Sequence, residues 1–240
     1  MHHIEGVVRR CIEDFHMIAP GDHIAVGVSG GKDSLLLLAA LCALKRYLPV
    51  PFTLHAITLS MGFPGVDFSP VAQLCRAWDV PFSLIETRIG TLLFEERREK
   101  NPCSLCAKLR RGILYRTAIE AGCNKAALGH HRDDAVETLL LSLFFEGRMH
   151  CFRPVTYLDR RGITLIRPLL YLPESDVTAA ATRLGLPVTH NPCPANGETK
   201  RQEIKELTLS LEKHDPHLRH KLMNALQNSP LPGWQTGDIS

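Results

Sequence analysis

A chain of 240 residues, 45% of them hydrophobic, is long enough for one sizeable core. Lys plus Arg number 28 and Asp plus Glu 25, so a formal charge of +3 excludes a global basic field and leaves any nucleic acid to local patches. No stretch reaches the roughly 18 uninterrupted apolar residues of a membrane span, and the N-terminus lacks an apolar export core. The expected setting is therefore soluble and cytoplasmic, with no membrane partner and with its eight cysteines reduced or bound to metal.

In chain order, Ile4, Val7, Val8, Cys11, Ile12 and Phe15 recur at helical spacing and predict an amphipathic helix that stops before Pro20-Gly21. His23 to Val28 predicts a buried strand, Leu35 to Tyr47 a helix, Phe52 to Leu59 a strand, Pro70 to Trp78 a helix, and Phe82 to Thr87 a strand. Leu105 to Ala121 follows as a long helix, then Lys125 to Gly129 as a strand and Ala135 to Phe145 as a helix. A hairpin is expected around Asp159 to Gly162 and a helix from Pro173 to Leu184, before two charged helices and a tail expected to be loose over 229–240. Strands alternating with helices imply an α/β fold, a parallel sheet with helices on both faces.

At the first strand-to-helix junction stands SGGKDS, Ser29 to Ser34. In parallel sheets ligands bind beyond the carboxyl ends of the strands. Gly30 and Gly31 let the backbone turn and present N–H groups at the positive end of the helix dipole, Ser29 and Ser34 add hydroxyls, and Lys32 adds a point charge. That assembly suits phosphate. Asp33 would be repelled there unless it holds a metal ion or a lysine. A Gly turn with a Ser or Asp cap is the bland alternative; the spacing fits neither the Walker loop nor the dinucleotide fingerprint. SGGKDS resembles the pyrophosphate loop of the PP-loop ATP pyrophosphatases.

Two further clusters follow. LGHHRDD puts His130, His131, Asp133 and Asp134 at the end of the fourth strand, where an acid pair suits Mg²⁺ and histidines suit phosphate charge. Equally, Asp133 or Asp134 could cap the helix, with Glu137 complementing its dipole. Cys103 and Cys106 form a C-x-x-C at a helix start, which fits zinc, a cluster, a redox disulfide or coincidence. Cys193, in a proline-bracketed loop, offers a third thiolate; three are a poor zinc set but serve a [4Fe-4S] cluster with one open iron.

SGGKDS, PCSLCAKLRRGILYRTA, LGHHRDD and Cys193 together resemble the tRNA 2-thiocytidine synthetase (TtcA) family, over roughly residues 20 to 228. The resemblance implies a Rossmann-like (adenine nucleotide alpha hydrolase-like) fold with residues 1–228 as one PP-loop domain carrying an N-terminal helix and a C-terminal helical extension. It implies ATP, Mg²⁺ and a [4Fe-4S] cluster as cofactors, and thiolation of an anticodon-loop cytidine in tRNA with sulfur from a cysteine desulfurase or other sulfide donor. A homodimer is compatible with it.

Carried onto this sequence, the ATP site comprises Ser29, Gly30, Gly31, Lys32, Asp33, Ser34, Gly129, His130 and Asp134, and the cluster ligands are Cys103, Cys106 and Cys193. Asp33 and Asp133 are expected to hold Mg²⁺, with Lys32, Asp33, Cys103 and Cys106 as the catalytic set. Lys108, Arg110, Arg111, Lys200 and Arg201 flank both halves of the ligand set and are expected to meet RNA phosphates. Ser60 departs from the family pattern, which leads us to expect an acid at the end of the second strand. Cys11 and Cys42 read as core, Cys75 and Cys123 have no partner spacing, and Cys151 is a candidate spare ligand or persulfide carrier. The rival readings are a lysidine-synthetase-like ligase, a sulfurtransferase for another base, and an RNA-binding module without catalysis.

Overall fold

Helix α1 (His2–Asp14) buries Ile4, Val8, Cys11 and Ile12, the expected apolar face. These and all later details come from a computed structural model describing residues 2–96, 102–189, 192–194 and 200–236. Strand β1 (Asp22–Gly27) follows, with Ile24, Ala25 and Val26 fully buried because both faces of a parallel sheet are covered. Helix α2 (Lys32–Leu44) is apolar all round, and its Leu35 to Leu38 are completely inaccessible, as suits a helix sunk in the core.

The six-stranded sheet runs β3-β2-β1-β4-β6-β5, with β2 (Phe52–Ser60), β3 (Phe82–Glu86), β4 (Lys125–Ala127), β5 (Val155–Leu158) and β6 (Ile163–Ile166). All neighbours are parallel except β5 and β6, the expected hairpin. Ile24, Val26 and Ala56 pack with α1, α2, α3 (Ser69–Ala77) and α7 (Glu174–Arg183) on one face. On the other, Ala25, Ile57 and Ala126 meet Leu114, Tyr115 and Ala118 of α5 (Pro102–Glu120). Helix α6 (Arg132–Glu146) starts three residues earlier than the apolar pattern suggests, because His131 caps it. Between β3 and α5 the chain forms α4 (Ile89–Thr91) and a wider π turn (Leu92–Glu96), too short for a periodicity signal. Helices α8 (Lys200–Glu212) and α9 (Leu218–Gln227) form the C-terminal extension.

The tail departs from expectation. Trp234 is 0% exposed, sits edge-on to Phe15 at 6.4 Å, and donates from Nε1 to the Phe152 carbonyl at 3.1 Å. Residues 229–236 are thus held by one large buried side chain, a contact that a Pro- and Gly-rich sequence does not announce; 237–240 lie outside the described residues. Connections from β1 run outward through β2 to β3, then return to β4 on the other side of β1. The crevice beyond β1 and β4 is therefore the switch point where such sheets take ligands.

Candidate active site

A cavity of about 360 Å³ opens at that crevice, lined by Ser29, Asp33, Ser34, Gly129, His130 and Asp134 among others. Gly31 caps α2, so Lys32, Asp33 and Ser34 form the first helical turn. The Ser34 hydroxyl donates to the Gly31 carbonyl at 2.9 Å and accepts from the Ser29 amide at 3.0 Å. Two glycines are dictated by space. Gly30 has φ +81° and a Cβ there would meet Thr189 at 3.0 Å; one on Gly129 would meet the Asp33 backbone at 3.0 Å.

The lysine that Asp33 needs is Lys32, whose Nζ donates to Asp33 at 2.8 Å and to Glu174 at 3.2 Å. Burial works against the Lys32 charge, but Asp33 and Glu174 hold it protonated above the usual lysine range. Burial would raise the Glu174 carboxyl, yet Lys205 at 2.7 Å together with Lys32 holds it down at about 2. Glu174 was not singled out from the sequence, where an acid in a helix's first turn reads only as dipole complement.

Asp133 and Asp134 divide their roles, and here the expectation for Asp133 is corrected. Successive helical residues point about 100° apart. Asp133 turns inward, where it accepts from Arg219 at 3.0 Å and from the Glu174 amide at 2.5 Å. Asp134 lines the cavity and closes a reciprocal cap with His131. His131 Nε2 lies 3.8 Å from an Asp33 oxygen and 3.5 Å from an Asp134 oxygen. Asp33 and Asp134 thus form the acid pair facing the cavity. Beside them the partly buried His130 leaves Nδ1 without a hydrogen-bond partner among the described residues, and burial, with Arg167 nearby, brings its pKa down to about 4.

Ala107, Arg110, Arg111 and Leu114 of α5 line the same cavity, at the i, i+3, i+4, i+7 spacing of one helical face. Cys103 and Cys106 continue that stripe toward the helix N-terminus. Burial pushes the Cys106 thiol up, Arg110 opposes this, and Cys193 and Cys103 both add to it, which places the three sulfurs in one electrostatic neighbourhood. The Cys193 segment is tied to the loop by the Thr189 amide, which donates to the Gly30 carbonyl at 2.9 Å. A second cavity of about 190 Å³ joins Ser29, Ser60, Arg110, Thr189 and Pro192. Ser60 closes its strand there by accepting from the Gly62 amide at 3.4 Å.

The PP-loop domain family matches residues 2–211. A tRNA-cytidine(32) 2-sulfurtransferase of Pelobacter propionicus is 42% identical over 94% of this chain and 85% of its own, and one of Geobacter sulfurreducens 41% identical over 94% and 89%. This chain belongs to the tRNA-cytidine(32) 2-sulfurtransferase family of PP-loop proteins. Among solved structures, the U34-tRNA thiolase NcsA from Methanococcus maripaludis with its [4Fe-4S] cluster superposes with a TM-score of 0.76 at 26% identity, over 92% of this chain and 76% of that one.

Against this family background, two expectations fail on burial and pairing. Cys151 is 5% exposed, its thiol donates to the Ala135 carbonyl at 3.4 Å, and burial raises its pKa to about 12; it is a core residue, not a spare ligand or sulfur carrier. Arg201 is engaged by Asp134 at 3.2 Å, Glu137 at 3.1 Å and Thr138 at 3.3 Å, so it braces the α6 start rather than offering a free cation to RNA. Lys200 pairs with Glu203 and lies 4.8 Å over the Phe145 ring. Lys108 lines an open groove with Arg116, Arg160 and Arg161. The last two sit at the tip of the β5–β6 hairpin, and only folding brings them beside α5. His190, three residues before Cys193, lies outside the described residues.

Proposed function

We propose that this chain exchanges the C2 oxygen of cytidine 32 in tRNA for sulfur, using ATP to activate the base. One observation carries the reading: Arg110 lines the same cavity as the SGGKDS loop and acts on the Cys106 thiol, which also feels Cys103 and Cys193, and Thr189 ties the Cys193 segment to Gly30 of the loop. A lysidine-type ligase has no use for those thiols.

ATP binds in the crevice with its phosphates over the N-terminus of α2, where free N–H groups and Lys32 meet the negative charge. Asp33 and Asp134, on either side of His131, are the residues that hold Mg²⁺. The cytidine O2 attacks the α phosphorus, the α–β bridging bond breaks, and pyrophosphate leaves against Ser29, Gly31 and Lys32. Because these donors are fixed before the reaction, they stabilise the leaving charge without reorganising. Neutral His130 presents no competing positive charge there, and its unpartnered nitrogen is available to the nucleotide. Hydrosulfide then adds at C2, and AMP departs with the former C2 oxygen.

Cys103, Cys106 and Cys193 fit a [4Fe-4S] cluster: they are thiols on the site's own helix face and adjoining loop, with a guanidinium beside them to offset negative charge. When bound, the cluster supplies an open iron able to hold sulfide. The sulfide source is a cysteine desulfurase or free sulfide, and a tRNA substrate supports a cytoplasmic setting. RNA phosphates lie along the groove of Lys108, Arg116, Arg160 and Arg161, which leads toward Arg111 and the cavity.

Mass spectrometry of tRNA nucleosides from cells with and without the gene tests this reading. The expected result is loss of 2-thiocytidine in the deletion, and its formation in an anaerobic mixture of holoenzyme, tRNA, ATP, Mg²⁺ and sulfide. Pyrophosphate release without any thionucleoside would refute the sulfur-transfer reading; a thiouridine would move the substrate to another base.

A further inference from the structure

At the opposite end of the sheet from Ser29 and His130, His23, His55 and Cys123 each place a ligating atom within 4.8 Å of the other two. His23 lies at the start of β1 and Cys123 just before β4, so both belong to the amino edge of the sheet. His55 stands in register with Ala25, two residues on from His23, and side chains two apart share a face. Both imidazoles therefore rise on the α5 side, where the turn after α5 brings Cys123. The backbone there is pinned: the His23 amide donates to Asn124 Oδ1 at 2.9 Å, the Asn124 amide to the His23 carbonyl at 3.0 Å, and the Cys123 amide to the Ala118 carbonyl at 2.9 Å.

We propose that His23, His55 and Cys123 form a zinc-binding site, separate from the cysteine set of the active site, that clips the α5–β4 turn to β1 and β2. Two imidazoles and a thiolate are a donor set of the type zinc takes, leaving a fourth position for water. The ring contacts of His55 match the task. Its Nε2 lies 2.8 Å from the Ser83 hydroxyl, and an imidazole anchored through one nitrogen presents the other to a metal in a fixed orientation. The Cys123 thiol is protonated without metal, so binding releases its proton to solvent as the S–Zn bond forms. Packing explains the buried thiol and the Ser83 bond taken singly; it does not explain two imidazoles and a thiol converging.

The test uses the anaerobically purified holoenzyme, equilibrated with zinc sulfate, desalted over a weak chelator and analysed for iron and zinc together. One zinc per chain is expected beyond the cluster's iron, with X-ray absorption at the zinc edge reporting one sulfur and two imidazole nitrogens. His55→Gln, His23→Asn and Cys123→Ala should each lower zinc retention tenfold or more, while iron and the cluster's visible absorption stay unchanged. Zinc should also raise the wild-type Tm by about 4 °C or more, and not that of the variants. An absence of retained zinc, undiminished zinc in the variants, or a zinc shell of three sulfurs marking the Cys103, Cys106 and Cys193 set would each overturn the proposal. The absorption measurement needs no variant, so a substitution that fails to fold leaves the outcome decidable.

Discussion

The Ser34 hydroxyl bridges the Ser29 amide and the Gly31 carbonyl and lies 3.1 Å from the Ser29 hydroxyl, so a single oxygen fixes the curvature of the phosphate loop. Ser34→Ala should lower turnover by about 10²-fold, the scale of one lost preorganised contact, with a far smaller effect on stability; near-normal turnover in single-turnover thiolation assays would remove the loop from the mechanism. Glu174 carries a different signature. Its folded pKa of about 2 lies below the ordinary 4.5, so its contribution to stability is complete above 4.5 and disappears as pH falls toward 2. Melting curves across that window should show Glu174→Gln less stable than wild type at neutral pH and converging with it in acid. A constant gap at all pH values would mean that the carboxylate's charge is not what Lys32 and Lys205 recognise.

Helix α5 presents three chemistries along its length: thiols at its first turn, Arg110 and Arg111 at the cavity, and Lys108 and Arg116 in the outer groove. Cys103→Ala, Cys106→Ala and Cys193→Ala should each abolish cluster absorption and thiolation together, because three ligands leave no spare, while tRNA-dependent pyrophosphate release persists. A full cluster in Cys193→Ala would transfer the third ligand elsewhere. The hairpin tip is tested apart from the thiols. Replacing Arg160 and Arg161 with alanine should weaken tRNA binding and reduce the steepness of its salt dependence by about two phosphate contacts, leaving ATP affinity unchanged. Filter binding over a salt series reads both quantities, and an unaltered slope would place the RNA on another surface. The α5 cysteines and arginines could be read from a contiguous motif, whereas Arg160 and Arg161 could not, since a hairpin tip's neighbours depend on the strand order.

Across the whole molecule, Trp234 joins the C-terminal segment to Phe15 near the end of α1 and to Phe152 beyond α6. Trp234→Ala should cost about 3–5 kcal/mol, as for other buried aromatics, and lower the Tm with little change in the kcat of the folded enzyme; a melting curve identical to wild type would mean the tail contributes no stability. By itself, the sequence determined the parallel α/β architecture, the phosphate loop and the cysteine pair, because each is written in local periodicity or a contiguous run of residues with one workable geometry. Only the tertiary structure decided that Asp134 rather than Asp133 faces the cavity, that Cys151 is buried while Cys193 approaches Cys106, and that His23 and His55 meet Cys123. A helical step of about 100° separates neighbouring acids whose composition is the same. Strand register then decides which residues, some 100 positions apart, share a face.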